Sequence, residues 1–190
     1  MVSQIKVNEI IKQSGSSITI GESGDTIDLS NPSSVTLNST MKNTPYFDVA
    51  KTSDQNISDA TWTKVTFDEE RIDSNSAFDL SNDKFVVPSG MAGKYFFSVI
   101  VVNGSSTNNV LQDAYSGIAV NGTRIRDNLG MVANSSYPTN SQSVCTIILD
   151  LSVADYVEAY GYTDVTSGQA QFKGSAKGQT CFTGYKLLGV

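Results

Sequence analysis

The sequence predicts an all-β protein, a jelly-roll sandwich preceded by a short β-rich arm, and three observations predict it. From about residue 44 onward, short runs rich in Val, Ile, Thr, Phe and Tyr recur between turns containing Gly, Asn and Ser. Helical periodicity is scarce throughout. The length of 190 residues suits one sandwich with an appendage and is short for two ordinary domains. The strand candidates are Phe47–Ala50, Trp62–Phe67, Lys84–Val87, Tyr95–Val102, Tyr115–Val120, Val144–Leu151, Tyr156–Tyr162 and Thr180–Leu188. Ser89-Gly90, Asn103-Gly104-Ser105 and Asn121-Gly122 read as the turns between them. Such a series without helices argues for a closed sandwich or jelly roll.

Two of these strands carry a further message. Phe96–Val102 and Val144–Leu151 are nearly continuous apolar runs. An antiparallel strand with one wet face should alternate apolar and polar residues. In one small sandwich, the second apolar face must then meet another subunit, so an oligomer is expected. Tyr95 and Phe97 share one strand face while Phe96 points to the other.

Residues 1–43 read differently. The first forty residues contain no aromatic residue, and apolar-alternating pieces recur at Ile18-Thr19-Ile20, Ile27-Asp28-Leu29 and Val35-Thr36-Leu37. One such layer cannot bury its apolar face alone, whereas three chains wrapped together can. The segment is expected to be an oligomeric, anchoring arm, with Ile5, Val7, Ile18, Ile20, Ile27 and Leu29 as its apolar contacts. Residues 44–190 form the expected head.

Composition excludes several chemistries. The chain has no histidine, which removes the commonest general base and transition-metal ligand, and with them Ser-His-Asp and Cys-His catalysis. Its net charge is −6 and its basic residues are scattered, so nucleic-acid binding is not expected. No segment approaches the roughly 20 apolar residues of a membrane helix, so no membrane insertion is expected. Cys145 and Cys181 both sit in apolar β-type runs and read as buried, reduced small hydrophobes, with a cross-sheet disulfide as the alternative. No cofactor, metal or catalytic residue is expected. Asp68-Glu69-Glu70 with Asp73 has the oxygen donors that calcium takes, but no regular calcium-loop spacing, and reads as a solvated loop. Gly93-Lys94 is no phosphate loop, because Pro88 stands in place of the upstream glycine and Tyr95 in place of the Ser or Thr. The single Trp62 reads as a core or interface anchor, with stacking on a sugar as the alternative.

The order of motifs from about Thr44 resembles the globular heads of the complement and tumour-necrosis-factor jelly-roll superfamily. The carriers are Phe47-Asp48-Val49-Ala50, Lys64-Val65-Thr66-Phe67, and Phe78-Asp79 ahead of Lys84-Phe85-Val86-Val87-Pro88. They continue with Gly93-Lys94-Tyr95-Phe96-Phe97, Leu149-Asp150-Leu151 with Asp155-Tyr156-Val157, and the ending Phe182-Thr183-Gly184-Tyr185-Lys186-Leu187-Leu188. The resemblance implies a TNF-like jelly roll in a tight homotrimer that binds or displays rather than catalyses. Tyr95, Phe97, Ile148, Phe182 and Tyr185 are the expected trimer-interface or core residues.

The N-terminal region is similar to the opening segments of marine and cyanobacterial phage tail-fibre and virion proteins. Lys6-Val7-Asn8-Glu9-Ile10, Ser14-Gly15-Ser16-Ser17 and Ile18-Thr19-Ile20 carry this likeness. It implies a bacteriophage structural protein assembled in the host cytoplasm and located on the virion. A trimeric capsid decoration or cement protein, bound to major capsid or tail proteins, is the expectation. The alternatives are a short tail fibre or receptor-binding tip meeting a host surface glycan or receptor, and a free carbohydrate- or protein-binding module.

Overall fold

The computed structural model describes Thr26, residues 44–132 and residues 136–187. The expected arm contacts Ile5, Val7, Ile18, Ile20, Ile27 and Leu29 lie outside the described residues. What is described contains strands, turns and loops and no helix. In chain order the strands are β1 (Tyr46–Lys51), β2 (Gln55–Asn56), β3 (Thr63–Lys64), β4 (Glu69–Asp73), β5 (Phe78–Asp79), β6 (Lys84–Val86) and β7 (Gly93–Ser105). They continue with β8 (Leu111–Val120), β9 (Thr123–Val132), β10 (Asn140–Leu151), β11 (Tyr156–Val165), β12 (Ala170–Phe172) and β13 (Thr180–Lys186).

These strands form two antiparallel sheets. The first runs β2-β12-β7-β13-β1-β4, with β10 along the opposite edge of β7. The second runs β5-β6-β11-β8-β9, with β3 also paired to β11. Strand alternation builds the space between them. Tyr95, Phe97, Val99 and Val101 of β7 point inward and are buried, while Phe96, Ile100 and Val102 point outward and are half-buried. Ile118 of β8, Val157 and Ala159 of β11 and Phe85 of β6 meet them from the second sheet.

The two ends of this core differ in chemistry. At one end Phe47 touches Phe78, Phe85 and Phe182 with ring centroids 5.0, 5.2 and 4.9 Å away, and Phe97 lies 6.3 Å away. Gly184 of β13 faces this cluster. A Cβ there would stand 2.6 Å from both the Phe47 and Phe97 rings, which accounts for the glycine in Phe182-Thr183-Gly184. At the other end a polar chain is buried. Thr163 donates to the Asn103 carbonyl oxygen at 2.8 Å, and the Asn103 amide donates to Ser143 Oγ at 3.0 Å and to the Val101 carbonyl at 3.2 Å. Asn103→Ala strands the Thr163 hydroxyl in a dry site, while Ser143 keeps the Val101 carbonyl at 3.4 Å, and a lost partner of this kind costs about 1–3 kcal/mol. The urea midpoint is expected to fall by the corresponding amount with an unchanged m-value, and an unchanged midpoint contradicts this role for the amide.

The structure corrects the sequence reading at several places. Asn103-Gly104-Ser105 is not a turn: β7 runs through it, paired with β10 on one side and β12 on the other. The acidic segment is not a loop, since Glu69–Asp73 forms β4, an edge strand against β1. β9 was not anticipated at all. It follows β8 through Asn121-Gly122, whose φ values of 50° and 78° give the doubly left-handed hairpin turn that matches strand twist. β9 lies beside the open edge of β10, where Arg126 Nη1 donates to the Thr146 carbonyl at 3.2 Å and the Asn128 amide donates to the Val144 carbonyl. Side chains thereby satisfy an edge that would otherwise present bare carbonyls.

The Asp155-Tyr156-Val157 motif also gains a physical reason. One Asp155 oxygen accepts from the Ser152 N–H and the other from the Asn121 amide, both at 2.8 Å. Tyr156 N–H donates to Asn121 Oδ1 at 3.0 Å. The residue ties the β10–β11 turn to the β8–β9 turn. The Asn121 bond, then the Ser152 bond, hold its carboxyl below the usual Asp range. A depressed folded pKa contributes stability that is fully present above the unfolded value and is lost as pH falls through the folded one. Asp155→Asn is therefore expected to lower the urea midpoint at neutral pH, with the gap to wild type closing in acid. A gap independent of pH contradicts the assignment.

Candidate functional site

Two outward surfaces carry chemistry beyond the needs of the core. The first is the outer face of the first sheet. Register places Tyr46 opposite Tyr185, Tyr185 opposite Phe96, and Phe96 opposite Ile148, so one apolar row crosses β1, β13, β7 and β10. Phe96 and Tyr185 stack with ring centroids 5.3 Å apart. One rung further lies a polar row, Asp48, Thr183, Ser98 and Thr146. It is partly satisfied internally, because Thr183 donates to Asp48 at 2.8 Å. Beyond it a second apolar row follows through Cys181, Ile100 and Val144. Ile148 is 59% exposed, Tyr46 and Val144 39%, and Tyr185 38%. The two apolar rows, with the polar row between them, leave several large apolar side chains in water on one sheet face, as surfaces that meet a partner do.

This resolves the predicted interface-or-core residues into two sets. Tyr95, Phe97 and Phe182 belong to the chain's own core, each with no exposure. Burial pushes the Tyr95 hydroxyl up to about 12, and its proton is donated to the Met91 carbonyl. Ile148 and Tyr185 lie together on the outer face, two strands apart and joined through Phe96. The doubly apolar character of Phe96–Val102 and Val144–Leu151 has the same origin, one face in the core and the other on this surface.

The cysteines divide likewise. Cys145 is buried on the inner face of β10, where burial pushes its thiol up to about 11. Cys181 is only half-buried and faces outward on β13, which corrects the expectation that both are core residues. With β7 between them and the side chains on opposite faces, a Cys145–Cys181 disulfide does not fit. In the acidic segment, Asp68 accepts from the Thr52 and Ser53 N–H groups, and Asp73 from those of Ala77 and Phe78. These carboxylates cap local backbone, and among the described residues no group of three or more carboxylate or cysteine side chains is placed to hold a metal.

The second surface is on the outer face of the second sheet. Tyr115 of β8 and Tyr162 of β11 are a cross-strand pair, edge to face with centroids 5.4 Å apart. Trp62, just before β3, leans onto both, 5.9 Å from Tyr115 and 5.6 Å from Tyr162. All three rings are half-buried. On β9, Arg124 Nε binds Asp127 Oδ1 at 2.6 Å and lays its guanidinium 3.9 Å from the Trp62 ring centroid. Gly117 of β8 forms the floor: a Cβ there would stand 3.0 Å from the Arg124, Asp127 and Trp62 side chains. A depression of about 330 Å³ opens here, lined by Trp62, Asp113, Tyr115, Asp127 and Tyr162. Trp62 is thus an exposed-face residue rather than a core anchor. The pairing of Tyr115 with Tyr162 is a matter of register between distant strands, which no local sequence pattern announces.

No protein-family model matches the chain, and no curated protein matches its sequence. Solved structures do match its shape. The globular domain of zebrafish complement 1qA protein superposes with a TM-score of 0.52 at 13% identity, over 75% of this chain and 97% of that one. Murine APRIL gives a TM-score of 0.52 at 11% identity, over 75% of this chain and 98% of that one. At these identities the likeness is one of fold, and together with the two antiparallel sheets it shows the chain to have the jelly-roll fold of C1q and TNF-like domains.

Proposed function

We propose that this chain works as a homotrimer, a non-catalytic structural protein that decorates or cements a bacteriophage capsid, with residues 1–43 as its anchor and residues 44–190 as the displayed head. The observation that carries the trimer is the apolar row Tyr46, Tyr185, Phe96 and Ile148, which a single chain leaves in water. C1q- and TNF-like folds commonly form homotrimers, and this sheet face supplies the apolar surface that such packing buries. The absence of histidine supports a non-catalytic role. The virion location rests on the N-terminal likeness to phage structural proteins, and major capsid or tail proteins are the partners it names.

The test adds purified protein to particles lacking it and measures co-sedimentation for the full chain and for residues 44–190. The full chain is expected to bind in many copies per particle, and the truncated head not to bind. Full-strength binding by the truncated head assigns anchoring to the jelly roll instead. If neither binds particles, the virion role is wrong and a free binding module takes its place.

A further inference from the structure

We propose that the Trp62, Tyr115 and Tyr162 cluster on the second sheet is a binding site for a weakly hydrated organic cation of the quaternary-ammonium type. The site lies on the opposite layer from the apolar rows, so the proposal does not rest on the trimer. Three features of the depression converge on it. The rings form a triangle with centroid separations of 5.4 to 5.9 Å, so a cation resting over the triangle lies within about 6 Å of every ring, the range in which ring quadrupoles attract charge. The planes are inclined at 46°, 56° and 88°, so the rings do not close into a flat stack. The platform already holds a cation, since the Arg124 guanidinium sits 3.9 Å from the Trp62 centroid.

The surrounding charge favours the same ligand over a neutral sugar. Arg124 is balanced by Asp127, but Asp113 lines the depression with no ion-pair partner among the described residues. Asp113 and Asp164 are directly opposed across the β8–β11 ladder. Burial, then repulsion from Asp59 and Asp113, pushes the Asp164 carboxyl up, and burial followed by Asp164 and Asp113 pushes the Tyr162 hydroxyl up. A sugar leaves that negative field uncompensated, whereas a cation relieves it. A sugar also stacks on an open ring face, and Arg124 covers one face of Trp62.

The chain has one tryptophan, so its fluorescence reports this site alone. The experiment titrates the full-length protein with choline and with tetramethylammonium, against sodium chloride at equal ionic strength and against methyl glucoside. A saturable change is expected for the two organic cations, with a dissociation constant on the order of 1–10 mM for a half-exposed site. Tyr162→Ala and Asp113→Asn are expected to weaken it roughly threefold to tenfold. Arg124→Ala, which uncovers Trp62 and releases Asp127, is expected to strengthen it by a similar factor. The opposite signs of the Asp113 and Arg124 variants separate site binding from a bulk effect. Absence of saturation with either cation overturns the proposal, as does an equal response to methyl glucoside or weaker binding in Arg124→Ala.

Discussion

The Ile148→Asp variant is expected to be a folded monomer under conditions where the wild type is a trimer. Ile148 is the most exposed residue of the apolar row, and its side chain leaves β10 away from the core. An aspartate there costs an isolated head almost nothing. In the trimer it places an unpaired carboxylate in an apolar interface, at about 3 kcal/mol or more per subunit. Threefold symmetry repeats the cost to about 9 kcal/mol per trimer, or roughly six orders of magnitude in the association constant. Sedimentation velocity reads the mass and near-ultraviolet circular dichroism reads the fold. A trimer that tolerates Ile148→Asp places the subunit contact elsewhere, whereas loss of fold together with mass means that the head needs its partners to fold.

The second large effect is expected at Phe47. Its ring is 1% exposed and joins the two sheets, touching Phe182 of β13 on one side and Phe78 and Phe85 of the second sheet on the other. Phe47→Ala removes this bridge and leaves a cavity that four neighbouring rings cannot collapse to fill, at a cost of about 3–5 kcal/mol. Against a total stability of about 5–15 kcal/mol this is roughly a fifth or more of the whole. A melting temperature lower by roughly 10 °C is the expected result. Phe47→Leu is expected to recover about half. A loss below about 1 kcal/mol in urea unfolding contradicts a central place for this ring.

Much of the fold was legible because the inner strands announce themselves. Lys84–Val87, Tyr95–Val102 and Tyr156–Tyr162 were anticipated within a few residues, since apolar and aromatic residues fill their positions. Two of the misses share a cause. β4 and β9 are edge strands whose described side chains are largely exposed, so Glu69–Asp73 and residues 123–130 carry charges where a strand pattern looks for apolar residues. Asn103-Gly104 reads locally as a hairpin turn. Tertiary partners decide otherwise, because Thr163 and Ser143 satisfy the Asn103 side chain inside the sandwich. The apolar runs pointed correctly to a second apolar face, and Ile148 and Tyr185 lie on it. Tyr95, Phe97 and Phe182 could not be told from them, since an aromatic residue in a strand reads the same inward or outward. The Trp62 cluster stayed hidden because it depends on the register that sets Tyr115 against Tyr162 across 47 positions of chain. A lone Trp followed by tyrosines at outward strand positions was the only signal available.

In the proposed homotrimer, sister subunits cover the outer face of the first sheet. Sedimentation equilibrium of the wild-type protein at micromolar concentration tests it most directly. The expected result is a single species of about three times the 20.3 kDa chain mass. A species at the mass of one chain, with Tyr46, Tyr185, Phe96 and Ile148 left in water, contradicts it.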